Sequence, residues 1–351
     1  MRIAKHVRKL EEYVPGEQPK GRGVVKLNTN ENPYPPSPAC AKVLAGFDLD
    51  RLRRYPDPNY SELREALAAL NGTTPERVFV GNGSDEVLSI TARCFVEDDE
   101  TIASLDPSYS LYKTLAAIRN VRWTGPSGVG PKCSLFLWTN PNAPTGSFAE
   151  PAEIAAFASK FRGVVIVDEA YADFARANCM SLATAEGNRN LIVMRTFSKS
   201  YSLAGLRVGY CVGPEDLVRA MYKVKDSYNV DAVAQAVALA AVKDQKWMKA
   251  NAAKVVRTRE RFSKALEERG WDVPHSESNF VFARPPATAG VRASGKAAHE
   301  RAEAVFHALR KANIIVRYFK GPKTGDRIRI TIGTDKQMDT LTRAIDELSI
   351  R

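Results

Sequence analysis

Lys199 stands in the stretch TFSKSYSLAGLRVGY, among hydroxyl residues and just after the apolar run LIVM at 191–194. A lysine that serves solubility keeps company with other charges on a helix face. This one closes an apolar segment, where an amine held away from bulk water can act as a nucleophile or a base. Asp168 is set similarly: the apolar VVIV precedes it, and Glu169, Ala170 and Tyr171 follow. A carboxylate in such surroundings is costly unless a cation or several donors meet it, so a positive group is expected to face it. A third feature, GNGSDE at 81–86, lies between an apolar run and an amphipathic one. Its glycines let backbone approach a ligand, Ser84 can cap a helix, and the free N–H groups of a helix start favour a phosphate. The spacing matches neither a dinucleotide fingerprint nor a P-loop. Taken singly, each feature also has a plain reading, as a strand-end lysine, a helix N-cap and an ordinary strand-to-helix turn.

These groups need a scaffold that brings them to one edge. From residue 78, β-branched runs alternate with helical patterns: VFVGNG before SDEVLSITARCFVED, TIASLDP before SYSLYKTLAAIRN, and SLFLWTNP before SFAEPAEIAAFASKF. GVVIVDEAY and NLIVMRTFSKS follow. The alternation predicts an α/β fold, a mainly parallel sheet sandwiched by helices. Ligands of such sheets bind beyond the carboxyl ends of the strands. Gly83 and Ser84, Asp106 and Tyr109, Asn140 and Asn142, Asp168 and Tyr171, and Ser198 and Lys199 all follow strand-like runs and would gather there. Near residue 244 the pattern changes to a long helix reaching about 269, then SNFVFARP, a helix over 296–312, IIVRYF, RIRITIGT and a closing helix over 335–348. Few strands in interleaved order predict a smaller α+β domain. The expected division is 1–29 as an N-terminal arm and part of the small domain, 30–245 as the large domain and 246–351 as the small domain. The arm carries Pro15, Gly16, Pro19, Gly21 and Gly23 without strong periodicity, and RPPATAGVRASGKAA at 284–298 reads as an exposed loop.

One cofactor uses an amine, a carboxylate and a phosphate cradle together. Pyridoxal 5'-phosphate takes a lysine at its aldehyde, a carboxylate at its pyridine nitrogen and a pocket for its phosphate. Lys199 would then also be the base that moves the substrate proton.

Longer stretches carry a resemblance. YVPGEQP, KLNTNENPYPPSP, RYPDPNYSELREALA, VGNGSDEVL, DPSYSLY, NPNAPTG, VDEAYADFA, TFSKSYSLAGLRVGY and RIRITIGT run through nearly the whole chain. Through them it resembles the fold-type I pyridoxal-phosphate aminotransferases and, within these, the histidinol-phosphate aminotransferase family. The resemblance implies a large cofactor-binding domain, a smaller domain and a homodimer. It implies transfer of an amino group between L-histidinol phosphate and 2-oxoglutarate, giving imidazole-acetol phosphate and L-glutamate, in histidine biosynthesis. Residue by residue, it makes Lys199 the Schiff-base lysine, Asp168 the partner of the pyridine nitrogen and Tyr171 the donor to the ring 3'-oxygen. Tyr109 would stack on the ring. Ser84, Asp85, Thr196, Ser198 and Arg207 match phosphate-site positions, with Tyr55 reaching the phosphate from the other subunit. Arg329 matches the arginine for the substrate's anionic end, and Arg317, Asn32 and Tyr34 are further substrate-side candidates. The family usually has asparagine immediately before Pro-Thr-Gly, touching the ring oxygen; here Ala143 stands there. Asn142 is then the candidate from the adjacent position, or Tyr171 serves alone. Within the same cofactor chemistry, an aromatic aminotransferase and a threonine-phosphate decarboxylase are alternatives.

The totals bound these readings. A chain of 351 residues suffices for two domains and should bury roughly 75% of its unfolded surface. Its 44% hydrophobic and 26% charged residues are those of a soluble globular protein, and no apolar run approaches the roughly 20 residues of a membrane span. MRIAKHVRKLEEYVPG has basic residues but no apolar h-region, so no secretory signal is expected and the expected location is cytoplasmic. Five widely spaced cysteines suit a reducing compartment, and four histidines without ligand-like pairing give no reason to expect a metal. The net charge of +11 admits a polyanion, yet the bases alternate with acids, as in VVRTRERFSKALEERG at 255–270, and there is no nucleic-acid-binding motif. A nucleic-acid partner is therefore not expected. An anionic small-molecule substrate suits the charge equally well.

Overall fold

The computed structural model describes residues 2–10, 12, 16–19, 21, 23–287 and 295–349. Residues 288–294 of the expected exposed loop, and Pro15 of the arm, lie outside the described residues.

The described residues include twelve strands. Seven of them build the central sheet: β2 (Val78–Gly81), β3 (Thr101–Ser104), β4 (Arg122–Thr124), β5 (Cys133–Thr139), β6 (Val164–Asp168), β7 (Leu191–Thr196) and β8 (Gly209–Val212). Their order is β2-β8-β7-β6-β5-β3-β4. All neighbours are parallel except that β8 runs antiparallel to both β2 and β7. The reversal accompanies the connection: residues 197–208 between β7 and β8 hold turns and a short 3-10 helix, without the α-helix that usually carries a parallel crossover.

Uninterrupted apolar runs reflect a sheet buried on both faces. Val165 and Val167 of β6 and Val193 of β7 enter one core cluster. Ile166, Ile192 and Met194 enter the other. Each such side chain contributes about 1.5–3 kcal/mol on burial. The second cluster is closed by the helices Ser84–Phe95 and Leu111–Arg119, which bury Val87, Leu88, Ile90, Tyr112 and Leu115. On the first face lie the helices Pro38–Ala45, Ser61–Leu70 and Ala232–Lys243. β8 packs so tightly on the start of helix Ser84–Phe95 that a Cβ at Gly209 would lie 2.5 Å from the Ser84 nitrogen. This seats the helix start directly over the sheet edge.

The C-terminal elements follow the predicted order, but IIVRYF divides into two strands that join different sheets. Asp244 caps the 23-residue helix Gln245–Glu267 by accepting from the Trp247 N–H at 3.3 Å. β9 (Phe280–Ala283), β11 (Arg317–Tyr318) and β12 (Ile328–Thr331) form an antiparallel sheet in the order β11-β12-β9, with Arg317 opposite Arg329. β1 (Val25–Lys26) pairs in parallel with β10 (Ile314–Ile315), tying the N-terminal segment to the C-terminal part of the chain. Among the described residues, no helix is long and apolar enough to cross a membrane.

Candidate active site

Lys199 lies in the turn after β7. Asn32 fixes this turn by donating its side-chain amide to the carbonyls of Lys199 and Ser200 at 3.2 and 3.1 Å. The Lys199 Nζ donates to the Thr29 carbonyl at 3.4 Å and lies 5.7 Å from the centroid of the Tyr171 ring.

Asp168 ends the neighbouring β6 and is 4% exposed. Its Oδ2 accepts from Tyr112 Oη at 2.8 Å and its Oδ1 from the Ala170 N–H at 3.1 Å. Burial pushes its carboxyl up to about 6, against the pull of these donors and of Lys199. Tyr112 Oη is also 2.6 Å from Thr139 Oγ1, whose residue pairs with Asp168 in the β5–β6 register. Sequence reasoning missed Tyr112, whose hydroxyl reaches Asp168 only once the helix Leu111–Arg119 has formed.

The third group is an anion cradle. Helix Ser84–Phe95 starts from Gly83 at φ 83° with no side-chain cap, leaving its first N–H groups available. Arg207, itself left-handed at φ 58°, extends its guanidinium beside them; a Cβ at Gly83 would lie 2.6 Å from Nη2. Arg207 donates to Ser198 Oγ at 3.4 Å and lies 3.6 Å from Asp85 Oδ2. Thr196 Oγ1 donates to Ser198 Oγ at 3.0 Å. Tyr109 donates to Asp85 Oδ1 at 3.3 Å, and its ring meets that of Tyr112 edge-on, with centroids 5.7 Å apart.

A cavity of about 650 Å³ joins these groups. Ser84, Asp85, Tyr109, Asp168, Tyr171, Thr196, Ser198, Lys199 and Arg207 line it, together with Arg317 and Arg329 from the C-terminal sheet. Arg329 donates to the Asn28 carbonyl at 3.0 Å, with its guanidinium 5.3 and 5.2 Å from the ring centroids of Phe280 and Phe319. From the same strand, the Thr331 hydroxyl donates to Asn30 Oδ1 at 3.0 Å, and the Asn30 amide donates to Tyr171 Oη at 2.9 Å. Asn30 was not singled out from sequence.

Four expected site residues do not line the cavity of their own chain. Asn142 is absent from the cavity lining: its amide donates to the Pro107 carbonyl at 3.0 Å and to Thr145 Oγ1 at 2.8 Å, while its carbonyl accepts from Ser108 at 2.8 Å. These bonds hold its own loop together, and Ala143 and Pro144 face the cavity instead. Asn32 holds backbone, as described, and Tyr34 packs against the core with Lys254 Nζ 4.9 Å from its ring centroid. Tyr55 is 79% exposed and stacks on Tyr228 with centroids 4.4 Å apart, away from the cavity of its own chain.

The family model for aminotransferase class I and II matches residues 22–345. The chain belongs to this family. It is 40% identical over 356 residues to histidinol-phosphate aminotransferase 1 of Nostoc sp., covering 98% of this chain and 97% of that protein. It is 41% identical over 357 residues to the histidinol-phosphate aminotransferase of Acetobacter pasteurianus, covering 97% and 96%. The crystal structure of histidinol-phosphate aminotransferase from Sinorhizobium meliloti in complex with pyridoxal-5'-phosphate superposes with a TM-score of 0.87 at 26% identity, covering 99% of this chain and 97% of that one. The aminotransferase fold thus agrees with the α/β architecture expected from the strand and helix pattern.

The residues present fit pyridoxal phosphate. Asp168 is a buried carboxylate whose desolvation two neutral donors leave only partly offset, as a partner for a protonated pyridine nitrogen requires. The uncapped helix start with Arg207, Thr196 and Ser198 suits a phosphate, and Lys199 supplies an amine on the same cavity.

Proposed function

We propose that the protein is a pyridoxal-phosphate-dependent aminotransferase that moves an amino group between L-histidinol phosphate and 2-oxoglutarate, in histidine biosynthesis. The observation that carries this reading is the meeting of Lys199, the buried Asp168 and the arginines 317 and 329 on one cavity. The full-length relatives at 40% and 41% identity support histidinol phosphate as the amine.

Pyridoxal phosphate, when bound, supplies an aldehyde that takes up the substrate amine and a ring that withdraws electrons from the substrate Cα–H bond. In this reading the chain does the rest. Asp168 keeps its negative charge toward the ring nitrogen, steadied by Tyr112 and the Ala170 N–H. Lys199 Nζ accepts the proton from the substrate Cα and holds it for return. Tyr171, backed by Asn30, presents its hydroxyl to the ring oxygen without help from Asn142. Arg329 grips the substrate's anionic end through paired hydrogen bonds, which suit a phosphate and a carboxylate alike.

The test is a spectral titration of the purified yellow protein with histidinol phosphate, phenylalanine and threonine phosphate in turn. Histidinol phosphate should discharge the cofactor band at the lowest concentration, and 2-oxoglutarate should restore it. Preference for phenylalanine, or CO2 release from threonine phosphate without a keto acid, would overturn the assignment.

Arg317 lies opposite Arg329 and lines the same cavity, which suits it to the phosphate of the amine substrate. Arg317→Ala should harm the histidinol phosphate half-reaction far more than the glutamate one. Arg329→Ala should depress both, each by about 2–5 kcal/mol. Stopped-flow measurement of each half-reaction checks this, and equal losses in folded Arg317→Ala would defeat the phosphate role.

The reading includes a cytoplasmic homodimer built from the two domains outlined above, with the arm as part of the small domain. Exposed Leu44, Leu49, Leu52 and Tyr55 support an interface that brings Tyr55 to the partner's phosphate cradle. Tyr55→Phe should release cofactor more readily. Mixed with Lys199→Ala, it should regain activity in hybrid dimers, where one site has both residues intact; no rescue in verified hybrids would mean that each subunit completes its own site.

A further inference from the structure

We propose that Arg195 is a positioning residue for the Lys199–Asp168 pair and acts through Ser200. Arg195 is the one charged residue in the apolar strand β7, and its side chain is 14% exposed. Its Nε and Nη2 donate to Glu169 Oε2 at 3.1 and 2.8 Å, and its Nη1 donates to Asp173 Oδ1 at 2.9 Å. The other Glu169 oxygen accepts from the Cys179 N–H, and the other Asp173 oxygen accepts from the Ser200 hydroxyl. Glu169 follows Asp168 in the chain, and Ser200 follows Lys199. One guanidinium therefore ties the segment bearing the carboxylate to the turn bearing the amine. Only a planar fork reaches both carboxylates; a lysine ammonium would hold one. Buried ion networks add little net stability over apolar side chains of equal volume, so this one is better explained by the geometry it fixes.

The inference rests on the proposed roles of Lys199 and Asp168, and its test reads more than turnover. Ser200→Ala removes a single hydroxyl and leaves the ion triad intact; Arg195→Met and Arg195→Lys alter the fork. In Ser200→Ala the saturated rate of both half-reactions should fall about 10- to 100-fold with little change in KM, since loss of alignment acts after binding. The pH midpoint of the bound cofactor's absorbance should shift, and the cofactor-free protein should capture added pyridoxal phosphate more slowly than wild type. Arg195→Met should show the same changes enlarged, and Arg195→Lys a partial return. If Arg195→Met fails to fold, Ser200→Ala decides alone. Wild-type rates, midpoint and capture in folded Ser200→Ala would overturn the proposal. Should wild type accept none of the three amines, the functional reading falls, while midpoint and capture still report on Arg195.

Discussion

Lys199→Ala is expected to bind pyridoxal phosphate and to lose turnover by about four orders of magnitude. The cradle at the start of helix Ser84–Phe95 and Asp168 remain in that variant, so the cofactor keeps its phosphate and ring contacts. In the proposed mechanism, what disappears is the amine that attaches the aldehyde and carries the Cα proton. General acid–base catalysis alone accounts for about 10²- to 10⁴-fold, and loss of the attachment adds to that. Single-turnover absorbance measures the loss. In wild type, borohydride should fix the cofactor to one peptide, and mapping that label to a lysine other than 199 would refute the assignment.

Asp168→Asn is expected to change activity and stability in opposite directions. Removing one member of a buried ion pair costs about 3–5 kcal/mol, so turnover should fall by about two to four orders of magnitude. In the cofactor-free protein Lys199 and the two hydrogen-bond donors only partly offset burial of the charge, and the carboxyl is pushed up to about 6. The native state then holds a proton that the unfolded state has already released between about pH 4 and 6. Stability must therefore fall as pH rises through that window, by on the order of 3 kcal/mol, and stay lowered above it. An asparagine carries no such penalty: its oxygen can accept from the Ala170 N–H, and its amide can donate to Tyr112, which passes its own proton to Thr139. Urea unfolding of both cofactor-free proteins should find Asp168→Asn the more stable at pH 8 and the difference shrinking toward pH 4. A variant less stable at pH 8 with near-normal turnover would make Asp168 a structural cap.

Much of this site could be read from the chain because strand ends are visible in it. An apolar run followed by a lone lysine or aspartate announces both the strand and the residue that leaves it, and so Lys199 and Asp168 stood out. Spacing does not say which side of a loop faces a cavity. Asn142 and Ala143 are adjacent, yet the asparagine turns inward to bond Pro107, Ser108 and Thr145 while the alanine faces the cavity. Tyr112 was hidden for another reason: within an amphipathic helix a tyrosine reads as core, and only the fold shows that its hydroxyl meets Asp168. Strand β8 reads as one more apolar run, and its reversed direction shows only in the pairing with β2 and β7. Arg195 was concealed because both its partners lie on the next strand-end segment, more than 20 residues away.

The short segment 28–30 has a consequence for substrate choice. Its Asn28 carbonyl receives Arg329, and its Asn30 amide is handed to Tyr171, while Thr331 of the same strand as Arg329 fastens Asn30. Residues 28 and 29 bend and Asn30 is left-handed at φ 56°, so the two contacts stay within the roughly 10 Å that three residues can span. In the proposed mechanism, the grip on the substrate's anionic tail and the hydroxyl at the ring are therefore graduations on one backbone rule. An amine of different length would have to bend itself to fit, because neither contact can be moved while the other stays in place.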